Sequence, residues 1–164
     1  MPPYAPGGLD SWDNLWLQRS AAHPWCGQRN MAAIIGAGIM DRYPNIRVGT
    51  LEAGHGWLPV WVSRLEEHTK LCPEALPPLK QTIRSYVTGG RYFQSIEVSE
   101  GAEITRSVIE LLGPDILMFG SDYPHGESWF PVSAETVFGW NLRPDHLHKL
   151  LWDNAVKYYR RYSA

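Results

Sequence analysis

Apolar residues along this chain recur with two periods, one helical and one strand-like, and the two alternate. From Gln28 to Arg42, Met31, Ile34, Ile35, Ile39 and Met40 fall at helical spacing. Tyr43-Pro44 ends that helix, because a residue before proline is steered out of the αR region. Ile46 to Leu51 reads as a short strand, followed by the turn Ala53-Gly54-His55-Gly56. Leu58, Trp61, Val62 and Leu65 mark one face of a second helix, with the charged run Arg64 to His68 on its outer side. Pro73 to Pro78 reads as a loop, and Arg91 to Val98 as a second strand. Glu103 to Leu112 is a clean amphipathic helix with Gly113 just past its end. Ile116 to Phe119 is the third strand. Pro144 opens a final helix carrying Leu147, Leu150 and Leu151, expected to break near Asp153-Asn154. Residues 1–24, rich in Pro, Gly and Trp and without a sustained period, read as an irregular arm before a domain spanning 25–164.

Strands that alternate with helices imply an α/β fold with a parallel sheet and crossover helices. Three strands are few for a parallel sheet, whose faces and edges all need cover, so the chain is expected to form part of a larger sheet or barrel.

Composition narrows the function classes. Fifteen basic against seventeen acidic residues give a net charge of −2, which offers nucleic acid or anionic lipid no electrostatic hold. No apolar run approaches the roughly 20 residues of a membrane span, and the N-terminus lacks the pattern of a signal peptide. Cys26 and Cys72 are too few and too far apart for a disulfide framework or a zinc knuckle, so a cytoplasmic protein is expected. Eight tryptophans and thirteen prolines suggest rigid, aromatic-rich loops around a pocket.

The segment Ile116 to His125 carries the strongest chemical signal. A short apolar strand delivers Asp122 and then turns at Pro124 beside His125. Strand-end acids carry chemistry at the C-terminal rim of barrel enzymes. An Asp in that place also serves as a turn cap, bonding nearby backbone N–H groups, and the segment alone leaves both readings open.

Two further stretches, taken together with that segment, change that balance. Asp41-Arg42-Tyr43-Pro44-Asn45-Ile46-Arg47-Val48, Leu51-Glu52-Ala53-Gly54-His55-Gly56-Trp57-Leu58-Pro59 with Arg64-Leu65-Glu66-Glu67-His68, and Phe119-Gly120-Ser121-Asp122-Tyr123-Pro124-His125 resemble the amidohydrolase-2 group. The tail Leu151-Trp152-Asp153-Asn154-Ala155-Val156 looks like the closing helix of that group. Its members are metal-dependent TIM-barrel hydrolases and decarboxylases related to aminocarboxymuconate semialdehyde decarboxylase. The resemblance runs from about His23 to the C-terminus and implies a partial (β/α)8 barrel, strands six to eight with their helices.

The same resemblance implies roles. Asp122 matches the eighth-strand aspartate that contacts a metal or its water. Glu52, at the end of the sixth strand, is the preferred acid–base candidate and His55 the second. His125 is a candidate for contacting a substrate carboxylate, and Trp57 for walling the pocket. The family's His-x-His pair and fifth-strand histidine have no counterpart: His146 and His148 lie in a predicted helix, and His23 precedes the helix before the sixth strand. A divalent metal, zinc by preference, is therefore expected to be weakly held or absent. The expected function is hydrolysis or decarboxylation of a small carboxylated or cyclic substrate, with little activity from the isolated chain. The alternative is a non-catalytic half-barrel that binds or assembles, pairing with itself or with a complementary N-terminal half.

Overall fold

The protein is described by a computed structural model, which covers residues 13–125 and 128–160. Three short parallel strands form its centre. β1 (Val48–Thr50), β2 (Tyr92–Ser95) and β3 (Leu117–Met118) lie side by side in chain order, with Val48 opposite Tyr92 and Gln94 opposite Leu117. All three fall inside the apolar runs that predict them.

Each helix follows from a local signal. α1 (Leu15–Gly36) begins at Asn14, whose side chain accepts from Trp16 N–H at 2.9 Å and Leu17 N–H at 3.2 Å. It ends at Ala37, and Gly38, at φ 66°, resets the chain for the short α2 (Ile39–Arg42). α3 (Leu58–Leu71) carries Pro59 in its first turn, where the missing N–H costs nothing. α4 (Ile83–Thr88) is capped by Thr82, which accepts from Ser85 N–H at 3.1 Å. α5 (Gly101–Leu112) buries Thr105, Val108, Ile109 and Leu112 on one face. α6 (Ser133–Phe138) and α7 (Pro144–His148) are short, and a π-helical turn (Lys149–Asp153) joins α7 to α8 (Asn154–Tyr159).

Side chains alternate across the sheet. Tyr92, Ile96 and Leu117 join the main core with Leu58, Val62, Val108 and Leu112 from α3 and α5. On the other face, Phe93 meets Tyr158 of α8 with ring centroids 5.4 Å apart. A Cβ at Gly49 would stand 2.8 Å from the Tyr158 ring, so only glycine lets α8 lie this close to β1.

Several expectations need correction. The irregular arm of residues 1–24 is helical from Leu15 onward, while residues 1–12 lie outside the described part. Pro24 sits inside α1 and removes one donor, and Trp16 and Trp25 face solvent, so the sequence shows a breaker and no buried stripe there. The helix predicted over Gln28–Arg42 divides at Gly38. The C-terminal helix does not break at Asp153-Asn154. It widens into the π turn, and Asn154 Nδ2 donates to Pro114 O and Leu117 O, both at 2.8 Å, which pins the helix to β3. α4 and α6 were not predicted.

Candidate functional site

Parallel strands point their C-terminal ends the same way, and here each end delivers a carboxylate. Glu52 follows β1, Glu97 follows β2 and Asp122 follows β3. All three line a cavity of about 490 Å³ together with His125. Arg19 and His23 of α1 close its opposite side. A smaller cavity of about 150 Å³ opens from the same three carboxylates toward Tyr159.

The backbone at two of these acids is unusual. Glu52 has φ 56° and Asp122 φ 57°, in the left-handed region where a side chain with a Cβ costs about 1 kcal/mol or more. Only two other non-glycine residues share this conformation among the described residues, Asn141 and Arg160. Such outliers persist where surrounding contacts impose them. At Asp122, His125 supplies one: its Nδ1 lies 2.7 Å from Asp122 Oδ1, and its backbone N–H donates to Asp122 O at 2.9 Å.

Ligand atoms of Glu52, Asp122 and His125 all lie within 4.8 Å of one another. Two carboxylates and one imidazole, half-buried to exposed, form a donor set suited to a divalent cation with open coordination positions.

Glu97 is the carboxylate that sequence reasoning missed. Burial pushes its pKa up from the ordinary value, and the negative charges of Asp122, Glu100 and Glu52 push it further, with His55 opposing. In the sequence it lies inside the run Arg91–Val98 that reads as strand, so no strand-end signal marked it. Glu100, also missed, behaves oppositely. Burial raises its pKa, but hydrogen bonds from the His55 side chain and from the backbone N–H groups of His55 and Gly56 outweigh that and hold it low.

Two expected site residues are placed elsewhere. His55 is fully buried and does not line the cavity. Its Nδ1 lies 2.6 Å from Glu100 Oε2, and its Nε2 lies 2.9 Å from Thr105 Oγ1. Its ring is turned toward Glu100 and Thr105, so His55 does not reach a molecule in the cavity. Trp57 does not line it either: its Nε1 donates to Ala53 O at 2.7 Å, and its ring packs beside Gly27 of α1. A Cβ at Gly27 would come within 2.8 Å of Ala53, so that glycine lets α1 approach the strand end. His146 and His148 stay apart from the site, beside Asp145 at 3.7 Å and Asp153 at 2.9 Å.

Comparison with known proteins adds the lineage. The family model described as amidohydrolase matches residues 23–161. The chain belongs to the amidohydrolase family. Solved structures add a likeness of fold. 5-Carboxyvanillate decarboxylase from Sphingomonas paucimobilis superposes with a TM-score of 0.78 at 19% identity, over 93% of this chain and 45% of that one. The 5-carboxyvanillate decarboxylase of Novosphingobium aromaticivorans, in complex with manganese and 4-hydroxy-3-methoxy-5-nitrobenzoic acid, gives 0.72 at 20% identity, over 92% and 45%. A dihydroxybenzoic acid decarboxylase from Polaromonas sp. JS666, with bound manganese and 2-nitroresorcinol, gives 0.70 at 18%, over 87% and 42%. At these identities the likeness is one of fold. This amidohydrolase-family chain thus matches part of a TIM barrel, and it spans less than half the length of these three structures. No curated protein matches it. No helix among the described residues is long and apolar enough to cross a membrane.

Proposed function

We propose that this chain carries one side of a metal-dependent active site in which Glu52, Asp122 and His125 hold a divalent cation at the rim of strands six to eight of an amidohydrolase barrel. The convergence of their ligand atoms within 4.8 Å is the observation behind this reading. A bound divalent cation polarises a carbonyl or carboxylate and makes a bound water acidic. Two carboxylates with one imidazole suit manganese as well as the zinc expected from the sequence, and manganese is the ion held by two of the structural neighbours.

Glu97 is the group best placed to hold a proton beside the reacting atoms, since burial and three neighbouring carboxylates favour its neutral form. Arg19 and His23 supply hydrogen-bond donors across the cavity. A small substrate bearing a carboxylate on an aromatic ring, as in the nitrobenzoic acid bound by the Novosphingobium neighbour, suits such walls. Decarboxylation is the preferred reaction and hydrolysis the alternative, with residues from the remainder of a full barrel completing the site.

Isothermal titration with Mn²⁺ and Zn²⁺ tests the reading. One site per chain, lost in Asp122→Asn, is expected. Unchanged binding by Asp122→Asn overturns it. The second reading, an assembly module, is favoured by the sheet edges that β1 and β3 form among the described residues. Light scattering that shows a compact monomer removes its motive.

A further inference from the structure

His55 and Glu100 are neither metal ligands nor proton carriers in the reading above, although Glu100 lines the cavity and bears on Glu97, and together they form a compact polar cluster beside it. One oxygen, Glu100 Oε2, receives His55 N–H at 2.7 Å and Gly56 N–H at 2.9 Å, and lies 2.6 Å from His55 Nδ1. The Glu97 N–H also approaches Nδ1, at 3.3 Å, but the shorter contact assigns the Nδ1 proton to Glu100. Behind the ring, Thr105 Oγ1 meets Nε2 at 2.9 Å and donates to Gly101 O at 2.9 Å, so the cluster is anchored in the first turn of α5.

The rest of the strand-end loop is fastened in the same way. Glu52 N–H donates to Ser95 Oγ at 3.1 Å, and Gln94 Nε2 donates to Gly54 O at 2.6 Å. Gln94 is itself held by Tyr92 Oη at 2.8 Å. The glycines fit this arrangement: a Cβ at Gly54, where φ is 69°, would stand 2.5 Å from Glu100 Oε1, and one at Gly56 would stand 2.7 Å from Ile104. The loop's backbone is therefore set by side chains from β2 and the start of α5, not by its own sequence preferences. Its first residue, Glu52, is the one held in the left-handed region.

We infer that the pair formed by buried His55 and part-exposed Glu100 is a positioning device that fixes Glu52 at the rim. It sets ligand geometry without touching metal or substrate, and this role rests on the reading of Glu52 as a ligand. Removing partners that orient a ligand typically weakens metal binding by about 10- to 100-fold.

The test uses the full chain with Glu100→Gln, His55→Asn and His55→Leu, and with the core variant Val137→Ala as a control for general destabilisation. Amide hydrogen exchange is followed over 51–57 and over β2, and Mn²⁺ affinity is measured on the same samples. Glu100→Gln and His55→Leu are expected to speed exchange at His55 and Gly56 by about 10-fold or more, with β2 unchanged, and to weaken Mn²⁺ by about 10-fold. His55→Asn, whose amide nitrogen can replace Nδ1, should restore most of both. Val137→Ala should move neither selectively. Unchanged exchange at 51–57 in both Glu100→Gln and His55→Leu overturns the proposal, as does faster exchange with Mn²⁺ affinity intact. If Asp122→Asn binds Mn²⁺ as the wild type does, the metal reading falls, and the exchange data alone then decide whether the pair fixes the loop.

Discussion

The two loops that carry the proposed metal ligands are built in opposite ways. After β1, the backbone of residues 52–56 is held by side chains of Ser95, Gln94 and Glu100 from distant parts of the chain, besides the local bond from Trp57. After β3, the contacts around Asp122 are local: His125 N–H to Asp122 O, Ser128 N–H to His125 O, and the His125–Asp122 pair itself. His125 is 60% exposed, whereas His55 is fully buried. One half of the site is preset by the fold, and the other is a self-contained turn at the surface. The preset half should be sensitive to distant substitutions, and the local half only to its own residues.

The largest expected effect is on the local side. Asp122→Asn should cost at least about 100-fold in Mn²⁺ affinity with little change in melting temperature, because its hydrogen bonds among the described residues are local. Equal losses of stability and affinity would erase the contrast between the loops. On the preset side, Gly54→Ala should destabilise by about 2 kcal/mol or more, through its left-handed backbone and its collision with Glu100, as read by chemical denaturation. Glu52→Gly should do the reverse, raising stability by about 1 kcal/mol while lowering metal affinity, since glycine accepts φ 56° without strain.

Two carboxylates sharpen the comparison through pH. The folded pKa of Glu100 lies below its ordinary value of 4.5, so folding favours its ionised form. Its stabilisation is present above that value and fades as pH falls through the folded pKa. Glu97 is shifted upward, so its contribution is present at acid pH and is lost as pH rises through the folded value. Glu97→Gln should therefore raise the melting temperature slightly near neutral pH, and less once Mn²⁺ neutralises the neighbouring acids. A fall in stability would show that Glu97 makes a favourable contact as an anion.

Much of this arrangement was legible in the residues. The three strands and α5 are short apolar patterns with clear ends, and Asp122, Glu52 and His125 sit in motifs specific enough to be placed. Other parts could not be read. α4 and α6 are six residues each, too short to show a helical period. The first half of α1 hides behind Pro24 and two exposed tryptophans. Glu97 was concealed inside a run that reads as strand. The direction in which His55 points depends on the rotation of a left-handed turn, set by Glu100 from a distant part of the chain, and no local pattern encodes it.

The most direct measurement is a crystal of the protein grown or soaked with Mn²⁺, with anomalous differences recorded at the manganese edge. A single strong peak among Glu52 Oε, Asp122 Oδ and His125 Nδ1 is the predicted result. A peak elsewhere, or none at saturating Mn²⁺, would contradict the claim that these strand-end residues form a metal site.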